Sequence, residues 1–327
     1  MRYFGGQTKK IEQITHAYFS SNPKARHFLD GGFCDPFSGS GVVAQSFSNL
    51  GVKTIAGDYA KFAYYLTSYS TAFDVHKLEQ ISDELNQSLI DVGSTEKADT
   101  DFERNFVQNY AVNVPYFTKK NARRIAKYRL SLEDMLLSGS ISDTQFDALM
   151  GSLLYSILKV ANIRLMFDGP LSGIDDQPVL LLSRFPENNK QPVSVFCQDY
   201  KVTVDNFSGG VLYLNPPSLK KDYVHYYHLL DTVIQMREGQ IVDKSGRYLH
   251  FKKENPVSIW DKASTARDAF YDLLLNNRAR YIVMTYNKNG IIPLDDIRSG
   301  FLRNGIQRTF KEVDLGNEVL FAIEGGA

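Results

Sequence analysis

An α/β fold is predicted for this chain: a mostly parallel seven-stranded sheet with helices on both faces and a helical insertion after the second strand. Three observations predict it. Short apolar segments bounded by glycine or proline alternate with segments of helical periodicity. The chain has 327 residues, of which 43% are hydrophobic, enough for one large α/β domain plus an insertion. Four polar residues also close successive apolar segments, at the strand edge where open α/β sheets bind ligands.

The elements follow in order. "GFCDPF" (32–37) and "KTIAGD" (53–58) read as the first two strands, with a helix over 42–50 between them and another over 62–72. From 74 to 190 the chain reads as largely helical: "NARRIAKYRLSLEDMLLSG" and "SDTQFDALMGSLLYSILKVANI" place apolar residues at helical spacing, and the second opens on a Ser-Asp cap signal. The proline-containing stretch 168–192 reads as a loop. "VSVFCQD" (193–199), "VLYLNP" (211–216) and "RYIVMTY" (280–286) read as the next strands, with helices over 223–237, 264–276 and 294–304. "RTFKEVDL" and "EVLFAIE", split by Gly316-Asn317, read as a terminal hairpin. The expected domains are therefore 1–73 with 191–327, and the insertion 74–190.

Composition excludes several classes. Lys+Arg and Asp+Glu are both 37, so bulk charge cannot hold nucleic acid, and any such contact rests on local patches. Cys34 and Cys197 lie in separate apolar runs with no metal or disulfide spacing; they read as small buried hydrophobes in a reducing compartment. "MRYFGGQTKK" has no signal-peptide core and no stretch approaches 18 apolar residues. The expectation is a cytoplasmic protein with no membrane contact and no metal.

"CDPFSGSGVVA" (34–44) follows the first strand and opens a helix, so Gly39 and Gly41 allow a tight turn and free N–H groups face a ligand. Asp58 closes the next strand, where a carboxylate accepts hydrogen bonds from both hydroxyls of a ribose; capping the strand end is the alternative role. Asp35, Asp58, Asp199 and Asn215 fall at or near the ends of successive strands. After Asn215, Pro216 and Pro217 stop the fourth strand, because proline cannot donate to a ladder. A carboxamide oxygen and a backbone carbonyl held rigidly there can accept both hydrogens of one –NH2 group and aim its lone pair at an electrophile. Beside a ribose-binding acid, the electrophile suggested is a sulfonium methyl group.

These segments together resemble the alpha-class amino-methyltransferases, the DNA adenine methylase family, collinearly over most of the chain. "RYFGGQTKKIEQI" (2–14) is similar to that family's N-terminal cofactor motif and "DPFSGSG" (35–41) to its cofactor loop. "GDYAKFAYYL" (57–66) matches its ribose-acid segment, "QDY" (198–200) the acid near the cofactor's adenine, and "NPPSLKKDYVHYYHLLDTV" its catalytic loop and following helix. The resemblance implies a Rossmann-like class I methyltransferase fold and S-adenosyl-L-methionine as cofactor. It implies cofactor contacts from Tyr3, Gly5, Gly6, Asp35, Pro36, Phe37, Gly39, Ser40, Gly41, Asp58, Tyr59, Asp199 and Tyr200, and a catalytic segment of Asn215, Pro216, Pro217 and Ser218. The reaction implied is methylation of an exocyclic amine, adenine N6 of double-stranded DNA, as in restriction–modification.

Two positions depart from the pattern. Ser218 stands where the family has an aromatic ring to stack on a flipped base, a contact worth roughly 1–3 kcal/mol. Gln7 stands where lysine is usual in the first motif. DNA contacts are expected from Lys119, Lys120, Arg123 and Arg124 in "KKNARRIAKYR", from Lys220, Lys221 and Tyr223 after the catalytic segment, and from Lys252 and Lys253; a solvated helix face is the alternative for 119–129. Cytosine N4 or an RNA base, or a non-enzymatic relative that binds DNA or a protein partner, remain alternatives at this stage.

Overall fold

The computed structural model describes residues 25–73, 75–92, 99–164, 167, 169–174, 176–186, 189–218, 226–236 and 258–325. Two compact units divide the chain.

The first unit is built on the sheet and takes in the described residues of Gly6–Thr67, Asn188–Asp222 and Val257–Ala327. Its strands are β1 Phe33–Asp35, β2 Thr54–Asp58, β3 Val193–Cys197, β4 Ser208–Leu214, β5 Arg278–Asn287, β6 Lys311–Asp314 and β7 Glu318–Glu324. All seven predicted strands form, in the order β3-β2-β1-β4-β5-β7-β6. β1 to β5 pair in parallel, whereas β7 runs antiparallel between β5 and β6. The chain moves outward from β1 through β2 to β3 and then returns to β4 on the other side of β1. That reversal makes the carboxyl ends of β1 and β4 the switch point of the sheet, where open α/β sheets bind ligands.

Helices α1 Val42–Asn49 and α2 Lys61–Ser70 follow β1 and β2. Both faces of the sheet are covered, as a mostly parallel sheet requires. Phe33, Val211, Tyr213, Tyr281 and Val283 pack with Val43 and Phe47 on one side. Cys34, Leu212, Leu214, Ile282 and Met284 pack with Phe270, Leu273 and Phe301 on the other. The alternation of one strand between two cores is the period-2 pattern of a sheet buried on both faces. Cys197 corrects the sequence reading: Cys34 is buried but Cys197 is exposed. The difference follows from β3 being an edge strand, paired with β2 alone.

The second unit is helical and takes in the described residues of Ser68–Glu187 together with 226–236. It contains α3 His76–Ser88, α4 Asp101–Val107, α5 Lys119–Leu137, α6 Asp143–Val160 and, later in the chain, α8 His228–Gln235 (α7, Tyr200–Asp205, belongs to the sheet unit). Ser142 opens α6 through a full capping box with Gln145.

After α6 the chain passes through 177–185 without regular secondary structure, and helix side chains satisfy its backbone instead. Asn121 donates to Gln177 O (2.8 Å) and accepts from Val179 N (3.0 Å). Asn86 does the same for both main-chain groups of Leu181 (3.0 and 2.8 Å). Ser152 accepts from Leu182 N at 2.8 Å, Tyr69 donates to Arg184 O at 2.8 Å and Glu79 accepts from Phe185 N at 3.2 Å. Each asparagine thus presents the donor–acceptor pair that a neighbouring strand would otherwise present.

The basic run on α5 also differs from expectation. Arg123, Arg124 and Arg129 are buried, at 7%, 3% and 5% exposure. Arg123 pairs with the fully buried Glu103 at 2.9 Å. Arg124 donates to the carbonyls of Leu89 and Ile90. Arg129 donates to Val233 O (3.0 Å), Ile234 O (3.2 Å) and Glu133 (2.8 Å), and lies over the Phe146 ring. Arg123 and Arg124 are therefore not available to a phosphate, because burying a guanidinium requires partners and these have been found inside the protein. Lys119 and Lys120 remain exposed.

Arg129 closes the carbonyl end of α8, whose last groups have no intrahelical donors. Arg129→Ala is expected to destabilise the protein by on the order of 3 kcal/mol, since two buried carbonyls lose charged donors. Arg129→Lys should recover little of that, because an ammonium cannot reproduce the fork. Urea unfolding of the three proteins checks both expectations; equal midpoints would refute the cap.

Candidate functional site

The turn after β1 is shaped by its glycines. Gly39 and Gly41 have φ of 53° and 74°, the left-handed region that glycine adopts without penalty. Gly41 is doubly constrained: a Cβ there would stand 2.7 Å from the Cα of Thr67. Thr67 in turn donates to Ser38 Oγ at 3.0 Å and Gly39 O at 3.3 Å, so α2 lies directly against the turn. Ser40, also expected at the site, is buried within it.

Asp58 ties this turn to the end of β2. Its Oδ2 accepts the N–H of Gly39 at 3.0 Å and its Oδ1 the N–H of Ala60 at 2.9 Å. Burial pushes its pKa up to about 6 even though these N–H donors favour the ionised form. A carboxylate offers about four lone-pair positions, so two bonds leave acceptor capacity for a ligand. Tyr59, the next residue, is 54% exposed.

Asp35 ends β1 at 1% exposure. Its Oδ1 accepts from Phe37 N at 3.3 Å, and burial, with the nearby Asp58 adding to it, pushes its pKa up to about 8. No ion pair to Asp35 occurs among the described residues. A buried acid at a strand end, with its pKa raised by burial, is the kind of group that functional sites use.

Phe37 is half-buried and backed by two rings. It stacks on Tyr200 at 5.3 Å with 21° between planes, and meets Trp260 edge-on at 5.2 Å and 87°. Tyr200 opens α7, which is capped by Asp199 accepting from Lys201 N at 2.9 Å; the Asp199 side chain is exposed. Gln198 N donates to Asp58 O at 3.1 Å, joining the exits of β2 and β3.

Asn215 follows the last residue of β4, and Pro216, Pro217 and Ser218 continue without regular structure. Asn215 is half-buried, as are Pro217 and Ser218, and Pro216 is buried. Register places Asp35 and Asn215 on adjacent strands, with Asp58 one strand beyond Asp35 and Asp199 past the end of the next. At about 4.8 Å between strands the four positions span roughly 14 Å of one edge. Sequence reasoning thus located these residues on one edge of the sheet. Tyr3, Gly5, Gly6, Lys220, Lys221, Tyr223, Lys252 and Lys253 lie outside the described residues. Sequence reasoning assigned no site role to Thr67 or Trp260; the indole, the one tryptophan of the chain, carried a signal in its rarity.

Comparison with known proteins bears directly on this edge. The chain is 25% identical over 313 residues to "Modification methylase LlaI" of Lactococcus lactis subsp. lactis, covering 91% of this chain and 48% of the relative. It is 23% identical to "Type II methyltransferase M.FokI" of Planomicrobium okeanokoites, covering 95% and 48%. Against "Type II methyltransferase M.NlaIII" of Neisseria lactamica it is 25% identical, covering 93% and 89%. The chain therefore spans about half the length of the first two relatives and most of the third. The family model for D12 class N6 adenine-specific DNA methyltransferases matches residues 3–293, which include the glycine turn, the carboxylates and the Asn-Pro-Pro segment, and the chain belongs to that family.

Proposed function

We propose that this chain is an S-adenosylmethionine-dependent methyltransferase that modifies adenine N6 in double-stranded DNA, in a restriction–modification setting within the cytoplasm. One observation carries the reading: Asn215-Pro216-Pro217 leaves β4 at the switch point of the sheet, one strand from Asp35 and the glycine turn. The printed names of the relatives, modification methylases, support the same chemistry.

The residues fit the cofactor. Asp35 is a buried acid at the end of β1, Gly39 and Gly41 leave the turn free of side chains, Asp58 keeps open lone pairs for ribose hydroxyls, and the Phe37 ring is braced to pack on a flat base. Tyr59, Asp199 and Tyr200 complete that wall in this reading. S-adenosylmethionine, when bound, supplies the electrophilic methyl group. Asn215 accepts one hydrogen of the target amine through its side-chain oxygen, and a backbone carbonyl of the proline-stiffened segment accepts the other. This holds the nitrogen lone pair toward the methyl group and disperses the positive charge that develops on nitrogen. Asp58 and Asp35 would hold the donor, and the proton shed by the methylated amine would leave to solvent.

The helical unit is proposed to face DNA. Lys119 and Lys120 occupy the first turn of α5, where the helix dipole disfavours cations; phosphate contact gives them a reason to be there. Ser218 favours a second reading, in which the protein keeps the cofactor and DNA but turns over slowly, since serine gives no stacking surface.

Cofactor affinity tests the first half. Binding to an ionised Asp58 should weaken as pH falls through about 6, because the protonated apo carboxyl must release its proton to accept both ribose hydroxyls. Asp58→Asn should bind about tenfold or more weakly at pH 7.5 and lose that pH dependence. Calorimetry across pH 5–8 reads both, and a flat wild-type profile would count against the assignment.

Turnover tests the second. Asn215→Ala should lower kcat by at least about 10²-fold while cofactor affinity stays within about twofold. Quantifying N6-methyladenine by mass spectrometry after incubation with unmethylated DNA is the measurement; wild-type rates in the variant would remove Asn215 from the chemistry.

The serine needs its own variant. Wild-type protein is expected to methylate DNA, and Ser218→Tyr to change kcat/KM by less than about threefold, another group already covering the flipped base. A gain of tenfold or more, the scale of a stacking contact, would instead establish the second reading.

A further inference from the structure

The turn leaving β5, residues 287–293, is bonded to the proposed catalytic segment. Ile291 N donates to Ser218 O at 2.9 Å. This contact matters because Pro216 and Pro217 have no N–H of their own, so the segment's height at the sheet edge depends on donors supplied from elsewhere.

The donor is itself fixed from beneath. Tyr286, 1% exposed, packs in the core with Met284, Ile292 and Ile297. Its hydroxyl accepts the N–H of Ile292 at 3.1 Å. Asn287 Oδ1 accepts from Asn289 N at 2.8 Å, Asn287 O from Gly290 N at 2.9 Å, and Asn317 O from Lys288 N at 2.9 Å. Gly290 rests on the tyrosine ring: a Cβ there would stand 2.2 Å from Cε1 and 2.7 Å from Cζ of Tyr286. Its φ lies outside the left-handed region, so space alone demands glycine at this position. A ring enclosed in the core cannot swing aside, and any larger residue at 290 must lift the turn that carries Ile291.

We infer that Tyr286 and Gly290 are positioning residues for methyl transfer, fixing the Ile291 N–H, through it the Ser218 carbonyl, and so the placement of Asn215. The inference rests on the methyltransferase reading above. Because the bond is to the main chain of Ser218, it holds whatever side chain residue 218 carries.

The test compares the full-length wild type, Gly290→Ala and Tyr286→Phe, which keeps the ring and removes only the acceptor. Cofactor stoichiometry by calorimetry counts folded molecules, so kcat is read per competent protein. A misplacement near 1 Å costs about 10²-fold, so Gly290→Ala should lower kcat about 10- to 100-fold, with cofactor affinity and KM for DNA within about twofold. Tyr286→Phe should lower it about fivefold, the scale of one neutral hydrogen bond. Hydrogen exchange at the Ile291 and Ile292 amides, the two donors held in the brace, should accelerate at least tenfold in Gly290→Ala, a change that a remote loss of stability would not confine to those sites. Wild-type kcat in both variants, or unchanged exchange at Ile291 in Gly290→Ala, would overturn the inference. A wild type that transfers no methyl group while Gly290→Ala still accelerates those amides would defeat the methyltransferase reading and leave the brace supported.

Discussion

The carboxylate of Asp58 fastens the site together. One oxygen holds the glycine turn of β1 through Gly39, the other holds the start of α2's approach through Ala60, and its main-chain carbonyl takes Gln198 beyond β3. Three strand exits are thus joined at one residue. That junction adds to the bonds the turn between Phe37 and Gly41 makes with Thr67 and with the Gly57 carbonyl, and together they fix the path that brings Phe37 onto Tyr200. The arrangement costs something in return. Burial opposes the charge that makes Asp58 a strong acceptor, which is why its titration sits near neutrality instead of in the usual carboxylate range.

The sheet was legible in the sequence because its signals are local. Glycine and proline punctuate every strand, and a segment such as "VLYLNP" cannot be anything but a strand that stops. The same locality exposed Asp35, Asp58 and Asn215, since strand ends carry chemistry in order along the chain. What was not legible depends on partners distant in sequence. The run "KKNARRIAKYR" reads as a charged face, yet Arg123 answers to Glu103, Arg124 to carbonyls of residues 89 and 90, and Arg129 to carbonyls more than a hundred residues later. Nothing in the run distinguishes the arginines that turn inward from Lys119 and Lys120, which stay in water. Cys197 was misplaced for a related reason: "VSVFC" has the composition of a buried strand, and only the strand order reveals that it lies at an edge. Tyr286 and Gly290 also escaped notice, because a glycine that yields space to a ring four residues earlier looks like an ordinary turn glycine.

The two units use polar groups differently. In the sheet unit they gather at one edge and keep spare hydrogen-bonding capacity, as a ligand site must. In the helical unit they are consumed internally: Arg124 and Arg129 satisfy carbonyl groups, Asn86 and Asn121 satisfy an irregular segment, and Glu103 is enclosed with its arginine. Buried networks of this kind fix a single arrangement of the elements they join.

The side-chain grip on residues 177–185 separates path from sequence. Asn121 and Ser152 bond the segment through main-chain atoms, Asn86 through those of Leu181 and also the Ser183 hydroxyl, and the segment turns Val179, Leu181 and Phe185 into the core while Leu180 and Arg184 face outward. Mutations at the outward positions therefore alter what this surface presents without altering where the backbone runs. A chain built this way can diversify one strip of its surface over evolutionary time and keep the same scaffold, with the asparagines as the fixed points and the residues between them as the variable ones.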